Sequence, residues 1–499
     1  MKTTVATSFA ILAAAVSANR ASFYVPNNNK GACGTPIDNN AWVVALPPSS
    51  YDNGAHCGKE IRITYNGKTL NGKVADLCPD CAGAQIDLVR GFFEQFDDMA
   101  KGIIEATRNG IDLNCMSVPA KYRKLGDFHK YYSGAAKAPV LTLVIGGNHE
   151  ASNYFFELFY GGWLAPNIYY LGTAGIIRYG PWRIAGLSGI YDAGDYQKGH
   201  FERLPYKKSD IKSVYHVRSC DTHKLMQLKE SVDIGLSHDW PAYVELFGDY
   251  EALFRRKPHF LESAKKDNLG SKPAVEVMNQ LRPSYWFSGH MHDKYSATVV
   301  YKGDRFEDTV LALKVSPSIR NAIPAFKSKR YLEHFNEKPS GRQAKTEFLA
   351  LNKPSPEGPL FLQVKQLYFP ARSDAELYST KADNGKFKLH YDAEWLALIK
   401  ASAGTLRIQD RKTRTMPPSK ATQAKGNPRN AISQARAWVD ANIVAQGFLA
   451  VPDNFERHAP VHCTGDENQY TMPKEYPNRQ TADLAKLLDM ENVFEFTKT

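Results

Sequence analysis

The chain has 499 residues, more than one ordinary domain of roughly 100 to 200 residues, and this length predicts two to four folding units. Hydrophobic residues make up 43% and charged residues 23%, which excludes a largely disordered chain. The net charge of +11 favours an anionic partner such as nucleic acid or an acidic surface, although many basic proteins bind no nucleic acid.

Residues 1–18 have the pattern of a secretory signal peptide. Lys2 precedes an apolar run from Val5 to Val16, and the small residues Ser17 and Ala18 follow it, so cleavage is expected near Ala18. The run is shorter than the roughly 20 apolar residues that span a bilayer, and no later segment reaches that length. We therefore expect no membrane span.

The cysteines divide the sequence into two parts. Four of them lie in the first 81 residues: Cys33, Cys57, Cys78 and Cys81. A dense cluster behind a signal peptide suits an oxidising compartment, whereas the sparse later cysteines suit a reducing one. The Cys78-Pro79-Asp80-Cys81 pair can bind zinc, but two other cysteines are nearby, so disulfides are the favoured use. The pairing stays open.

Residues 19–107 contain short strand-like runs separated by turn residues. The clearest runs are Ala41 to Leu46, Glu60 to Tyr65 and Gly72 to Asp76. This pattern predicts an all-β barrel.

Four short motifs in this segment resemble the fungal barwin-like and expansin-like family. They are Gly31-Ala32-Cys33-Gly34, Cys57-Gly58-Lys59, Asp76 to Cys81 and Ile86-Asp87-Leu88. The resemblance implies a double-psi β-barrel that ends with a helix from Phe92 to Ala100 and a last strand from Gly102 to Thr107. It also implies polysaccharide binding through Asp76 and Asp87, for which a plain structural role is an equal alternative.

After Thr107, apolar strands alternate with helical stretches, a pattern typical of α/β layers. The strand-like runs are Val140 to Ile145, Val232 to Leu236 and Tyr285 to Ser288. Residues 402–431 are rich in Lys, Arg, Ser, Thr, Gln and Pro and predict an exposed loop or disordered insert.

Polar motifs follow each of the three strands directly. They are Gly146-Gly147-Asn148-His149-Glu150, Ser237-His238-Asp239-Trp240 and Gly289-His290-Met291-His292. Amide oxygen and imidazole nitrogen are suitable ligands for a divalent metal. One histidine at a strand end is usually structural, but three such ends in one chain indicate a metal site.

This series of motifs resembles the later part of calcineurin-like metallophosphoesterases, and the sequence around it resembles the RNA lariat debranching enzymes. The supporting motifs are Asp112 to Pro119, Tyr131 to Gly134, Tyr160 to Trp163, Lys198 to Glu202, Tyr215 to Arg218 and Glu347 to Lys353. The resemblance implies a multidomain chain: a metallophosphoesterase domain at 108–330, an α/β four-layer sandwich truncated at its start, and an α+β debranching-enzyme C-terminal domain at 331–499.

The resemblance also implies hydrolysis of the 2′,5′-phosphodiester branch of intron lariats in the nucleus, with Mn, Fe or Zn as cofactor. Asn148, His238 and His290 would bind one metal and His292 the other. His149 would lie beside the scissile phosphate. The candidates for contacting branched RNA are Tyr215, His216 and Arg218, for which ordinary packing and surface charge are an equal alternative.

Two motifs of the superfamily are not found ahead of the debranching-enzyme segment: a strand ending in Asp-x-His or Cys-x-His, and a second strand ending in Gly-Asp. We therefore expect impaired folding and little phosphodiesterase activity. This combination of segments indicates a gene fusion or a mistaken gene model as the origin of the chain. The alternative function is a secreted cell-wall or polysaccharide-binding protein whose C-terminal part is inert.

Overall fold

In the computed structural model the chain forms two compact units. Unit 1 comprises residues 1–103 and 354–361, and unit 2 comprises residues 104–353 and 362–499. The residues that the structure describes are 20–24, 26, 28–65, 68–79, 81, 85–89, 92, 106–119, 123, 125–326, 338–352, 365–368, 370, 374–382, 385–405, 428–463, 465 and 471–494.

Unit 1 is a five-stranded mixed sheet with the order β1-β5-β2-β4-β3. Its strands are β1 Arg20–Tyr24, β2 Val43–Leu46, β3 Glu60–Tyr65, β4 Lys68–Leu77 and β5 Gln85–Val89, with a one-turn helix α1 at Pro48–Tyr51 and a 3₁₀ turn at Asp52–Gly54. The β1–β5 and β2–β4 pairs are parallel, whereas β2–β5 and β3–β4 are antiparallel. The predicted strands at 41–46, 60–65 and 72–76 therefore fall on β2, β3 and β4.

The core of unit 1 is small and apolar. It consists of Val44, Leu46, Ile61, Val74, Ile86, Leu88 and Phe92. Gly72 lies against Phe92, because a Cβ atom on Gly72 would come within 2.4 Å of that ring. Closure of the sheet into a double-psi barrel stays a prediction, since β1 and β3 lie at the two ends of the order and the predicted closing strand is described only at its last two residues.

Two disulfides link the early cysteines, Cys33 with Cys57 and Cys78 with Cys81. Asp76 accepts backbone N–H groups from Ala32 at 2.7 Å and Leu77 at 2.9 Å through one carboxylate oxygen, which gives it a structural role. Asp87 is half-buried, with Oδ2 3.3 Å from the Cys78 sulfur.

Unit 2 contains a seven-stranded mixed sheet and a three-stranded sheet, with the orders β13-β14-β12-β11-β10-β9-β15 and β6-β8-β7. Its strands are β6 Thr142–Val144, β7 Gly162–Ala165, β8 Ile168–Tyr170, β9 Ala174–Tyr179, β10 Trp182–Leu187, β11 Ile234–Ser237, β12 Tyr285–Ser288, β13 Tyr295–Val300, β14 Lys345–Ala350 and β15 Leu389–Tyr391. The mixed sheets and multidomain α/β class confirm the coarse fold prediction.

The helices of unit 2 are short. They are α2 Phe128–Ser133, α3 Ser152–Glu157, α4 Lys208–Ser213, α5 Ser219–Met226, α6 Tyr250–Arg256, α7 Pro258–Lys265, α8 Lys272–Leu281, α9 Phe306–Leu311, α10 Pro317–Ala322, α11 Ala393–Ser402, α12 Pro428–Val439 and α13 Arg479–Leu487. Single 3₁₀ or π turns lie at Ile111–Cys115, Val244–Phe247, Pro324–Phe326, Ala375–Tyr378, Ala403–Thr405 and Asp440–Val444. Among the described residues, no helix has the length and apolar character needed to cross a bilayer.

Three apolar cores lie between the layers of unit 2. The largest core packs helices such as α5 and α8 onto one face of the seven-stranded sheet, around Trp240, Trp286 and Phe348. A second core lies between the two sheets, and a third packs α2 and α3 onto the three-stranded sheet. The layer order is therefore helices, seven-stranded sheet, three-stranded sheet, helices.

One part of the inner face of the seven-stranded sheet is only half covered. Leu236, Phe287 and Leu349 lie in register on β11, β12 and β14, and each is partly exposed, whereas Trp286 and Phe348 on the opposite face are 1% and 2% exposed. Strand β6 lies at the edge of the three-stranded sheet, and β8 is the strand that pairs with it among the described residues. We expect the impaired folding predicted from the missing opening strands to arise in this region.

The segment that follows Ala106 is deeply buried. Arg108 is fully enclosed and its guanidinium binds Asp112 at 3.0 Å and Glu157 at 2.8 Å. Asn109 donates to the Pro460 carbonyl, and Asn114 donates to the Thr471 carbonyl. The start of the segment is thus bound to residues that lie more than 300 positions later in the chain.

Three sequence predictions fall wholly or largely outside the described residues. One is the signal peptide at 1–18, and another is the helix from Phe92 to Ala100, of which the structure describes Phe92 alone. Of the predicted polar insert at 402–431, the structure describes 402–405 and 428–431, which belong to the end of α11 with a 3₁₀ turn and to the start of α12. These flanking residues are helical rather than a loop.

Candidate metal and RNA site

The three predicted strand-end loops lie at the ends of β6, β11 and β12. Strands β11 and β12 are parallel neighbours with Ser237 opposite Ser288, so the loops that follow them start side by side. The two serine hydroxyl oxygens are 2.9 Å apart, and the Trp240 indole donates to the Gly289 carbonyl at 2.9 Å. These bonds fix the backbone beneath His238 and His290.

Asn148, His238 and His290 present their donor atoms to one another. The His238 Nε2 atom lies 3.0 Å from Asn148 Oδ1 and 3.2 Å from His290 Nδ1. Gly147 makes this approach possible, because a Cβ atom there would come within 2.5 Å of the His238 ring. The structure therefore brings together the three residues predicted to bind one metal.

Both imidazoles of this group are held in the neutral form. Burial, followed by the nearby histidine charges, lowers the pKa of His238 to about 3. Burial and the charges of His292 and His149 lower the pKa of His290 to about 4. A neutral imidazole is the form that binds a metal, so these ligands lose no proton on binding at neutral pH.

His149 and His292 flank the group and are both exposed. His290 and His292 have positive φ angles of 59° and 50°, a left-handed backbone that is uncommon for residues other than glycine and is concentrated at functional sites. The Glu150 carboxylate accepts the backbone N–H groups of Gly147 at 3.0 Å and of His149 at 3.2 Å, which fixes the loop after β6.

The donor set fits a divalent metal. One amide oxygen and two neutral imidazole nitrogens, already within hydrogen-bond distance, are the borderline and hard ligands that Mn, Fe and Zn accept. Three other groups of metal-type side chains occur among the described residues: Cys78, Cys81 and Asp87; His200, Cys220 and Asp221; and Asp192, Asp195 and His216. The first uses disulfide sulfurs, and in the second Lys224 already neutralises Asp221.

The three predicted RNA contacts have different surroundings. Tyr215 and His216 are half-buried and line a cleft beside Gly146 and Gly147. Arg218, in contrast, is 0% exposed, and its guanidinium donates to Glu202 and to the backbone of Asp195 and Ser213. The interpretation of Arg218 as a group that stacks on a base is therefore wrong for this structure, because its hydrogen-bonding groups are directed into the protein.

The cleft extends from the loop after β6 to the end of β10 and the segment before α5. Besides Tyr215 and His216 it is lined by Glu150, Phe155, Tyr170, Ser188, Gly189 and His200, among others. The Ser188 hydroxyl accepts the Gly146 N–H at 3.0 Å. The cleft thus adjoins the loop that carries Asn148 and His149.

Sequence reasoning assigned no role to Gly147, Glu150 or Gly189. The pair of glycines ahead of Asn148 was a usable signal, since adjacent glycines indicate close approach of backbone to another group. The role of Gly189 depends on a contact with Tyr215, 26 positions later, and no local pattern indicates it.

Comparison with known proteins identifies the family. The family model for the lariat debranching enzyme C-terminal domain matches residues 343–493. The lariat debranching enzyme of Arabidopsis thaliana is 38% identical over 389 residues, which cover 78% of this chain and 78% of that protein. The chain belongs to the lariat debranching enzyme family.

Other lariat debranching enzymes match over different shares of their length. The enzyme of Schizosaccharomyces pombe is 34% identical over 434 residues, covering 78% of this chain and 89% of that enzyme. The human lariat debranching enzyme is 41% identical over 312 residues, covering 62% of this chain and 48% of its own length. The chain thus spans about half of the human enzyme.

Two solved structures align with a small part of this chain. A Streptomyces papain inhibitor is 31% identical and covers 15% of this chain and 76% of its own, with a TM-score of 0.14. The expansin of Clavibacter michiganensis is 27% identical and covers 17% of this chain and 44% of its own, with a TM-score of 0.16. TM-scores this low do not establish the fold of unit 1.

Proposed function

We propose that residues 106–494 form the metal- and RNA-binding part of a lariat debranching enzyme, a phosphodiesterase acting on the 2′,5′ branch of excised introns during mRNA processing, and that hydrolysis is impaired in this chain. The observation that carries the proposal is the convergence of Asn148, His238 and His290 from three strand ends, with donor atoms 3.0 and 3.2 Å apart. The family relationship supplies the substrate class.

The residues around this group have distinct tasks. A divalent metal held by the three ligands would act as a Lewis acid toward a phosphoryl oxygen and lower the pKa of water. His149 is exposed beside the ligands, and its backbone is fixed by Glu150, so its ring can donate a proton to the leaving 2′-oxygen or a hydrogen bond to the phosphate. Tyr215 offers an aromatic face to an unpaired base.

Impaired hydrolysis follows from the ligands for a second metal. His292 is the predicted ligand for that ion, and the expected opening strands with their Asp-x-His and Gly-Asp motifs do not precede the segment. The first aspartate of the segment, Asp112, is fully buried and accepts hydrogen bonds from Arg108 and Asn153. It is therefore occupied, and a two-metal arrangement that holds water in line with the leaving oxygen is incomplete.

Metal content and RNA processing test the proposal together. The purified full chain is incubated with a branched RNA and Mn²⁺, Fe²⁺ or Zn²⁺, and linearisation is followed by gel mobility while bound metal is measured by elemental analysis. We expect about one metal per chain, lost in His238→Ala and kept in the exposed control His259→Ala, with RNA binding but little linearisation. Linearisation at the rate of a complete debranching enzyme, or equal metal loss in both variants, would contradict the proposal.

A second candidate function concerns unit 1, in which we propose a polysaccharide-binding surface of the barwin-like or expansin-like type, in a secreted chain. Trp42 is 45% exposed although its ring stacks on Phe92 at 5.5 Å, and an exposed aromatic face suits a sugar ring. Co-sedimentation with insoluble polysaccharide tests this: Trp42→Ala should reduce binding, and Tyr368→Ala, an exposed control in unit 2, should not.

A further inference from the structure

We propose that Asp195 is a positioning residue that fixes His216, so that the His216 Nε2 atom accepts a hydrogen bond from a ribose 2′-hydroxyl of RNA in the cleft beside the Asn148 loop. The proposal rests on the proposed function, because it names the chemical group that the cleft recognises. It adds a role for Asp195, and it makes His216 a group that distinguishes RNA from DNA.

The first step is the contact between the two side chains. The His216 Nδ1 atom lies 2.7 Å from Asp195 Oδ2, and the two side chains are only 12% and 15% exposed. A carboxylate at Nδ1 requires the proton on that nitrogen, and this leaves Nε2 of a neutral ring as an acceptor. Because His216 lines the cleft and Nδ1 is occupied, Nε2 is the atom available to a ligand.

The second step is that Asp195 is itself held in place as an anion. Its Oδ1 atom accepts a hydrogen bond from Lys198 Nζ at 2.6 Å, and its carbonyl accepts one from the buried Arg218 guanidinium at 2.7 Å. Partial burial would raise the pKa of Asp195, but the hydrogen bonds from Lys198 and His216 and the charge of Arg218 lower it overall. The buried Arg218 therefore helps to hold the backbone at Asp195 in place.

The third step connects His216 with the metal-ligand loop through Gly189. Gly189 has φ of +89°, and a Cβ atom there would lie 1.9 Å from the Tyr215 carbonyl oxygen. Its N–H donates to the Gly146 carbonyl at 2.8 Å, while Val217 donates to the Ile190 carbonyl at 2.9 Å. Gly189 and Ile190 therefore link two backbone segments by hydrogen bonds: the segment just ahead of Asn148 and the segment that carries His216.

These contacts specify the ligand chemistry. The His216 acceptor nitrogen is fixed beside the Tyr215 ring and beside a loop that is expected to face a phosphodiester. This position suits a hydrogen bond from the hydroxyl of the adjoining ribose. The 2′-hydroxyl is the group by which a protein distinguishes RNA from DNA at a given site. In Asp195→Asn the amide oxygen keeps the hydrogen bond from Lys198, which has only donors, so the amide N–H₂ group faces His216 Nδ1. The imidazole proton then moves to Nε2 and the acceptor becomes a donor.

The test compares the full chain's affinity for a branched RNA with that for the same molecule carrying 2′-deoxyriboses next to the branch, at mildly alkaline pH where imidazoles are neutral. The unaltered chain should prefer the ribose form by about 2- to 10-fold. Asp195→Asn and His216→Gln should each reduce the preference without removing it, because a 2′-hydroxyl also accepts hydrogen bonds. The double variant should lose no more than either. The charge-matched control Asp453→Asn, at an exposed residue that does not line the cleft, should keep the preference.

The outcomes separate this inference from the proposed function. If Asp195→Asn binds branched RNA with the preference unchanged, the inference is wrong while the proposed function stands. If the unaltered chain does not bind branched RNA at all, the proposed function is wrong and the inference falls with it. Thermal unfolding of each variant accompanies the binding data, and a preference reduced in His216→Gln but unchanged in a folded Asp195→Asn also overturns the positioning role.

Discussion

At the scale of single residues, burial decides which ionisable groups are available for chemistry. It keeps His238 and His290 neutral and ready to bind a metal. Elsewhere it holds a carboxyl group in its protonated form. Glu245 is 2% exposed, its Oε1 atom has no hydrogen-bond partner, and burial raises its pKa to about 8.

Replacing Glu245 with Gln should make the protein more resistant to alkaline pH. The folded-state pKa lies above the usual glutamate value of 4.5, so the stability from this protonated group is full below about pH 4.5 and is lost as the pH rises through about 8. The glutamine side chain stays neutral throughout. The melting-temperature difference, Glu245→Gln minus unaltered, should therefore grow between pH 5 and pH 9.

The exposed control Glu262→Gln should show no such trend. A constant difference between Glu245→Gln and the unaltered chain at all pH values would show that Glu245 is ionised in the folded state.

Replacing His149 with Ala should remove catalysis without removing metal. His149 is exposed beside the ligand group and is assigned to the reacting phosphate, not to the metal. In a chain to which the missing opening strands are restored, we expect branch cleavage to fall at least ~100-fold, the usual effect of losing a general acid. Elemental analysis should show unchanged metal, as in His259→Ala; lost metal would show that His149 is a ligand.

The sequence was informative about residues to different degrees. His238 and His290 could be predicted because they follow parallel strands, whose ends meet at one edge of a sheet. Asn148 was predicted from its own strand-end motif, although β6 lies in the smaller sheet. The burial of Arg218 could not be predicted, since it depends on Glu202 and Asp195, which reach it through the tertiary fold. The Asp195 contact with His216 was missed for the same reason.

At the scale of elements, apolar patterns located strands but did not indicate which sheet each strand joins. The run at 285–288 coincides with β12, whereas the run at 140–145 contains the shorter β6, which lies in the small sheet with β8. Val140 is 57% exposed, so the apolar run begins before the strand does. Pairing depends on residues far away in the chain, and an apolar run carries no information about its neighbour.

Removing the Arg108 side chain should destabilise unit 2 strongly. Arg108→Ala leaves Asp112 and Glu157 without their guanidinium partner in a site where Arg108 and Asp112 are 0% exposed and Glu157 is 9% exposed. Breaking a buried ion pair in this way costs about 3–5 kcal/mol. Urea unfolding measures the loss; the exposed control Arg457→Ala should change stability by less than about 1 kcal/mol, and equal effects would contradict a structural role for Arg108.

The secreted form of the chain should begin near residue 19 and contain two disulfides. The signal-peptide pattern predicts the cleavage, and unit 1 pairs Cys33 with Cys57 and Cys78 with Cys81. Intact mass with and without reductant should change by four hydrogens, and peptide mapping should return these two pairs. An uncleaved chain with thiols and stoichiometric zinc would contradict both expectations.

At the scale of the whole molecule, the two faces of the large sheet differ. The helix-covered face contains the main core, whereas Leu236, Phe287 and Leu349 on the other face remain partly exposed. Contiguous exposed apolar surface favours association and dye binding.

A fluorescent apolar dye should bind the native chain at this face. Phe287→Thr should lower the dye fluorescence, because Phe287 lies between Leu236 and Leu349 and its ring is the largest apolar group of the three. Val300→Thr is the control, since Val300 is 50% exposed but lies outside this set. Equal fluorescence for the unaltered chain and Phe287→Thr would show that this face is covered in solution.

The bonds from Arg108, Asn109 and Asn114 to His458, Pro460 and Thr471 also have a consequence in time. A ribosome adds about 5–20 residues per second, so the partners of residues 108–114 emerge tens of seconds after that segment does. Unit 1 draws almost all of its residues from the first 103 and can begin to fold early. Unit 2 therefore cannot finish packing its opening segment until synthesis is nearly over, and in the nascent chain the polar groups of residues 108–114 stay hydrated during that interval.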